Sequence, residues 1–428
     1  MKTDRKSFKF FYLISLRRQI EKMENFSSKN MALIQPSVVK ETEIIVQHWI
    51  RKLKIRLGWI NDFDKLVVNY VTTIFMLDIF CLSSKLLKTF YGHANAVWSI
   101  DYSTFNDDQL LCSGSIDNTV RVWNIKTNEQ IQLFNKHSSF VYCAKFSSYH
   151  HYNNHQNVIC SSSNDKTIRF WDVKNNQQLQ MFDEHINCVV GIEFSQFNGG
   201  RYLCSGSGDR TIRLWDVKTY TPLHIFNGHT NIVWCIDISP LQNNNSNNNK
   251  SNHIGIIGGN GYTICSGSFD KTIRIWDIET AKQSIKLKGH ENWIRSVKYG
   301  SNELRNTILS GSDDKSVRLW DIQSGKQIEI FNGHTMWVST VEYSPFVVKN
   351  IEIGNNSNVI CSGSMDNTIY FWDIRSNKKE LFVINGDEKR DDGICCLKFL
   401  QLKKRNNDRD YNINLCFGSG DGPIRIWE

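Results

Sequence analysis

Gly228-His229, followed by Ser266-Gly267-Ser268-Phe269-Asp270-Lys271-Thr272-Ile273-Arg274-Ile275-Trp276-Asp277, is the stretch whose reading decides the fold. Its Asp and Trp stand six residues apart, and that interval recurs seven times: Asp117/Trp123, Asp165/Trp171, Asp209/Trp215, Asp270/Trp276, Asp314/Trp320, Asp366/Trp372 and Asp421/Trp427. Five of these Trp precede an Asp, while the first is followed by Asn124 and the last by Glu428. Successive Trp lie 44 to 61 residues apart. A motif returning at about 40 to 45 residues, stretched in places by insertions, marks a β-propeller with four strands per blade. The expected fold class is therefore all-β, and such a platform serves binding more often than chemistry.

Working outward from the first pair, the chain alternates apolar and polar residues from Val97 to Tyr102 (strand a), Leu110 to Ser115 (b) and Thr119 to Asn124 (c). Asp117 falls in the tight turn between b and c. Gln130 to Phe134 makes strand d and leads to the next His. Period-two patterning broken by turn residues supports all four strands.

Six units share a His, a strand and a Ser ahead of the Asp, and five of them an apolar-basic-apolar run into the Trp, where the sixth has Tyr370. This pattern resembles the WD40 repeat family, whose members include G-protein β subunits and many ubiquitin-ligase receptors. The resemblance spans residues 85 to 428 and implies a seven-bladed WD40 β-propeller. The strands come out of phase with the repeats, since no residues follow the seventh strand c to supply its d. Lys85-Leu86-Leu87-Lys88-Thr89-Phe90 is a d-type strand left over at the front. The expectation is that residues 85–90 complete the last blade and close the ring, which removes two exposed sheet edges.

Excess length falls at about 147–157, 240–261, 345–358 and 400–414, each time between strands a and b. The second insert holds Asn243-Asn244-Asn245-Ser246-Asn247-Asn248-Asn249, a polar tract that cannot bury a core. The resemblance implies that all these inserts share one face, leaving the opposite face trim. They read as disordered surface decoration, with a docking arm as the alternative.

Bulk composition narrows the functional classes. The net charge of +8 is concentrated in residues 1–84, with 14 Lys/Arg against 8 Asp/Glu; the remainder holds 37 against 35. No long basic run appears, which argues against nucleic acid as a partner. Of the twelve cysteines, Cys112, Cys160, Cys204, Cys265, Cys361 and Cys416 occupy one repeat slot, five residues before the Asp, where the fifth unit has Leu309. A slot that accepts Leu wants an apolar filler, no Cys-x-x-Cys occurs, and the set reads as buried reduced thiols of an intracellular chain, cytoplasmic or nuclear. No cofactor and no metal is expected.

His229, Ser266 and Asp270 have the composition of an acyl-transfer triad, the basis for a hydrolase alternative. The same set recurs as His93/Ser113/Asp117, His137/Ser161/Asp165, His185/Ser205/Asp209, His290/Ser310/Asp314 and His334/Ser362/Asp366. An enzyme needs one activated nucleophile in a cleft, whereas repetition describes a structural network. The resemblance implies that the ring, hydroxyl and carboxylate link to the repeat Trp: Trp123, Trp171, Trp215, Trp276, Trp320 and Trp372, with Asp421 and Trp427 in the seventh unit. That unit departs from the pattern, with Phe417 for the Ser and Arg390 for the His.

Family ligands contact the trim face at the mouth of the channel, through the residues three and five after the His and the one before the repeat Asp. Here those positions hold Trp98, Ile116, Phe140, Tyr142, Ile232, Trp234, Phe269, Trp293, Arg295, Asp313, Trp337 and Met365, among others. Aromatics and Arg dominate binding hot spots, so a protein or peptide partner is expected there; packing between blades is the alternative for any single ring. Trp372-Asp373-Ile374-Arg375 resembles the ending by which substrate receptors of cullin-type ubiquitin ligases dock their adaptor, with Arg375 as the contact.

Residues 1–84 form an extension outside the repeats. Ile45, Trp49, Leu53 and Leu57 recur at helical spacing, Gly58 suits a C-terminal cap, and Asn61 or Asp62 starts a second apolar helix to about Phe80. A helical hairpin over 37–80 is expected, too short in its apolar run to cross a bilayer. The composite expectation is a non-catalytic interaction scaffold, with no membrane, nucleic acid or small molecule as partner and ligase-receptor duty as the runner-up.

Overall fold

Strand c shows why this sequence must be layered on both sides. Thr272–Asp277 alternates Ile with Thr, Arg and Trp, yet nearly every residue is buried. A strand with two covered faces lies between neighbouring sheets. The computed structural model describes residues 80–81, 84–103, 109–239, 262–300, 304–349, 356–374, 380–387, 390–403 and 411–428. All belong to one compact unit, Thr73–Glu428. They form seven four-stranded antiparallel sheets, each in the order a-b-c-d, arranged as a seven-bladed propeller.

Blade one comprises Val97–Ser103, Leu110–Ser115, Val120–Asn124 and Glu129–Phe134. Strand c starts one residue later than the sequence pattern suggests. Thr119 is engaged elsewhere, its backbone N–H and hydroxyl both bound to Asp117 Oδ1 at 3.0 and 2.6 Å. Blade seven joins Ile394–Lys403, Tyr411–Ser419 and Ile424–Trp427 to Leu86–Phe90. Phe90 faces Ile424 and Leu86 faces Trp427, while Lys85 and Glu428 exchange backbone hydrogen bonds of 3.2 and 3.1 Å.

Blades adhere through their repeat Trp. Each indole packs on the last apolar residue of the preceding strand d: Phe134 on Trp171 at 5.0 Å and Phe182 on Trp215 at 4.5 Å are stacked pairs. Phe90 and Trp123 make the same junction between blades seven and one, at 5.5 Å. The slot shared by six cysteines and Leu309 has no solvent exposure, and all twelve cysteines are free thiols.

Three of the four insertions depart from the expectation of disordered decoration in their described residues. The first folds into α1 (Ser148–Asn154), which ends on His155 in a left-handed conformation (φ 52°). His150 anchors it, buried, with Nδ1 bonded to Ser147 Oγ at 2.8 Å and Nε2 to Tyr220 Oη at 3.0 Å. The third and fourth simply lengthen their hairpins, to Val338–Lys349 with Asn356–Ser364 and Ile394–Lys403 with Tyr411–Ser419. The extra residues continue the ladder, unbroken in blade seven and after an irregularity between Tyr343 and Val347 in blade six, and satisfy their own backbone groups, so extension is favoured over a loose loop. The Asn-rich insert and the helical hairpin lie outside the described residues, apart from Phe80 at the hairpin's end. Phe80 is buried among Phe346, Phe371 and Phe382, with ring centroids at 5.2, 5.8 and 6.4 Å.

Candidate functional site

Six blades carry one hydrogen-bonded chain with nearly constant geometry. The Trp indole N–H donates to the Ser hydroxyl at 2.7–2.9 Å in Trp123–Ser113, Trp171–Ser161, Trp215–Ser205, Trp276–Ser266, Trp320–Ser310 and Trp372–Ser362. That oxygen lies 2.7–2.8 Å from Nε2 of His93, His137, His185, His229, His290 or His334. Nδ1 of each ring lies 2.7–2.9 Å from Oδ2 of Asp117, Asp165, Asp209, Asp270, Asp314 or Asp366. A neutral ring with its proton on Nδ1 satisfies the whole chain: Trp donates to Ser, Ser donates to Nε2, and Nδ1–H donates to the carboxylate.

The electrostatics agree with that assignment. Burial lowers the basicity of His93, His137, His229 and His290 despite the adjacent carboxylates. Burial alone would raise the six Asp carboxyls, but the His rings, the hydroxyl after each turn and backbone N–H groups outweigh it, holding all six well below the usual carboxylate range. Each Ser is completely buried. A hydroxyl that no substrate carbonyl can reach is a structural link, whatever its neighbours.

Blade seven corrects the inclusion of Asp421 and Trp427 in this network. Asp421 is exposed, and the indole N–H of Trp427 is buried without an acceptor among the described residues. The reason is the fully buried Phe417 in the Ser slot and the exposed Arg390 in the His slot. A different device holds this blade. Arg425 Nε donates to Asp391 Oδ1 at 2.7 Å, and Asp391, completely buried, also accepts the Asp387 backbone N–H at 2.6 Å.

At the end of the propeller where the b–c turns meet the loops entering strand a, the rim residues are tied in pairs. The N–H of Ile116 donates to Ala96 O, Asn164 to Phe140, Phe269 to Ile232, Asp313 to Trp293 and Met365 to Trp337, all at 2.8–3.1 Å. The aromatic side chains converge unequally. Trp98 of blade one meets Trp234 of blade four at 5.7 Å, and Tyr142 of blade two meets the same ring at 5.6 Å. Rings from three blades therefore close over the channel as a plug. Trp234, Phe269 and Trp293 then stack in series at 4.9 and 4.1 Å.

Arg295 lies over all three rings, 4.7–5.3 Å from their centroids, and grips Asp313 with Nε–Oδ1 at 2.7 Å and Nη2–Oδ2 at 3.0 Å. A guanidinium fixed both by rings and by a bidentate carboxylate is a rigid platform. Trp293 and Phe140 remain 40% and 41% exposed, whereas Phe269 is buried inside the stack. Ile116, Ile232, Trp337 and Met365 lie half-buried on the rim outside that stack. Arg375 lies outside the described residues.

One set of charged residues escaped the sequence reading. Asp101, Lys145, Glu193, Asp237, Lys298, Glu342 and Lys398 each follow the first apolar residue of strand a by four positions, one per blade on the innermost strand. Lys145 pairs with Glu193, Lys298 with Glu342 at 3.1 Å and Lys398 with Asp101 at 3.7 Å, always between adjacent blades. Asp237 is left over, its Oδ2 accepting the Tyr299 backbone N–H at 2.7 Å. Burial pushes its carboxyl up to about 6 against the pull of Lys298. Aligning the repeats on strand a instead of on His, Asp and Trp would have exposed the ring.

The comparisons with known proteins accord with this geometry. The family described as "WD domain, G-beta repeat" matches residues 84–124, 128–172, 176–216, 220–277, 281–321 and 325–373. The seventh sheet's three C-terminal strands lie beyond the matched segments. A 52-residue stretch is 47% identical to eukaryotic translation initiation factor 3 subunit I of Aspergillus niger, covering 12% of this chain and 15% of that protein. The same factor from Aspergillus oryzae is likewise 47% identical over 52 residues, with the same shares of each chain covered. A chromatin assembly factor 1 subunit of Mus musculus is 39% identical over 56 residues, covering 13% of this chain and 9% of that protein. The chain thus spans no more than 15% of the length of these relatives.

Proposed function

Because the chain belongs to the WD domain, G-beta repeat family, we propose that it acts as a non-catalytic scaffold, taking a protein or peptide partner on the aromatic face of its propeller. The observation that carries this reading is the Trp234–Phe269–Trp293 stack capped by Arg295 and Asp313. Large rigid side chains already ordered in the free protein lose little entropy on binding, which is what a hot spot requires. The relatives are named as subunits of a translation factor and a chromatin assembly factor, which supports service inside a multiprotein assembly. Twelve free thiols, mostly buried, support an intracellular setting.

The test is affinity purification with the wild-type chain and with a Phe140→Ala/Trp293→Ala variant. These two rings are the exposed ones, so their loss leaves the buried core of the stack in place. The expected result is loss of the captured partner at an unchanged melting temperature. Capture that survives both substitutions refutes the assignment of the face.

A further inference from the structure

The aromatic face is electrically lopsided. The residue after each repeat Asp has a left-handed backbone in blades one to six, and in blades two to five it is a cation: Lys166 (φ 71°), Arg210 (φ 72°), Lys271 (φ 65°) and Lys315 (φ 67°). Blades one, six and seven have Asn118, Asn367 and Gly422 there. A left-handed turn favours Asn or Gly, so the backbone gives no reason for four long cations. All four are exposed, and none has an ion-pair partner among the described residues. On the same blades Glu184 is taken by Arg213 and Asp313 by Arg295, leaving Asp183 and Glu291 as exposed acids in the entering loops. The opposite side presents Asp392 beside Arg390 in the corresponding loop, Asp391 there being buried against Arg425.

The basic arc also contains a depression. In blade three the rim position filled by Ile116, Asn164, Phe269, Asp313 or Met365 in five other blades is Gly208, and blade seven has Gly420 there. A cavity of about 370 Å³ opens there, lined by Ile186, Asn187, Gly208, Asp209 and Arg210. Ile186 is 77% exposed, the most exposed large apolar side chain among the described residues. The Asp209 carboxylate in its wall is already occupied by His185 and Thr211.

We infer that blades two to five of this face hold an acidic, extended peptide segment that lays one aliphatic side chain into the depression over Gly208. The inference rests on the reading of the face given above and names the chemistry of its partner. The segment's carboxylates meet the turn cations, and its aliphatic side chain covers Ile186. Ile186 and the depression favour a peptide over a nucleic-acid strand, which has no branched aliphatic side chain to fill it.

The experiment pans the full-length chain against a random peptide display library, in parallel with Lys166→Glu/Arg210→Glu/Lys271→Glu/Lys315→Glu and with Trp293→Ala. Melting temperatures check that each variant is folded. The expected result is enrichment of net-acidic sequences containing an aliphatic residue. A synthetic peptide of that sequence should lose affinity about tenfold for the charge-reversed variant, and bind less tightly as salt rises. Enriched peptides that are neutral or basic, or acidic peptides that bind the charge-reversed variant equally well, overturn the acidic assignment; if Trp293→Ala still abolishes their capture, the face itself stands. Peptides indifferent to both variants remove the face as well. No enrichment, or displacement of the peptide by an equal concentration of single-stranded oligouridine, also overturns the inference.

Discussion

Replacing Asp237 with Asn should stabilise the propeller at neutral pH, because the carboxylate it removes is the surplus charge of the channel. Lys298, Glu193 and Lys145 are the charged groups acting on Asp237, and Lys298 already has Glu342 as a partner. Burial holds the Asp237 carboxyl at about 6 against an ordinary 3.8. The folded state therefore keeps a proton that the unfolded chain has released, and ionising the group costs about 3 kcal/mol of stability. That cost is absent below pH 3.8, grows through the interval and is complete above about 6. The Asn side-chain oxygen can still accept the Tyr299 N–H.

For a propeller of about 340 residues, 3 kcal/mol corresponds to ~4 °C in melting temperature. The assay is urea denaturation followed by Trp fluorescence, at pH 7.5 and again at about pH 4. The variant should gain at the higher pH, and the difference should vanish at the lower one. The six network carboxyls are depressed in the folded state, so they lose stabilisation as the unfolded chain takes up protons at about pH 4, but they are common to both proteins and cancel from the difference. Equal stability at pH 7.5, or a gain that persists at low pH, refutes the reasoning.

Two further outcomes follow from the repeats. Asp270→Ala should cost about 3 kcal/mol by stripping an acceptor from His229, Thr272 and two backbone N–H groups, whereas Asp421→Ala, at an exposed position without the network, should stay within ~0.5 kcal/mol; paired chemical melts decide both. Deleting residues 85–90 should lower the melting temperature and promote aggregation, read by light scattering, because Ile424–Trp427 would lose the partner it pairs with.

The fold was legible because its signal is local and repeated. Asp and Trp six residues apart sit on one turn and its following strand, and seven copies average out the irregularities. The surplus strand at residues 85–90 was legible by counting. What escaped was long-range. Trp98 and Trp234 meet across a channel from blades one and four, a contact that no interval in the chain encodes. Three of the inserts were misread because polar composition describes how a segment meets water, while α1 and the lengthened hairpins are set by anchors such as His150 with Tyr220. In blade seven, loss of the His and Ser was visible, but their replacement by Arg425 with Asp391 depends on a loop the motif does not include.

An odd circle cannot alternate two signs without a fault. Going round the innermost strands, the order is acid, base, acid, acid, base, acid, base, and six of the seven junctions join opposites. The fault lies between Glu193 and Asp237, so cohesion around the axis is not uniform even though the blades look alike. A toroid of six or eight blades would escape this parity constraint; one of seven must locate its frustration somewhere, and here it marks the junction of blades three and four as the weakest electrostatic seam.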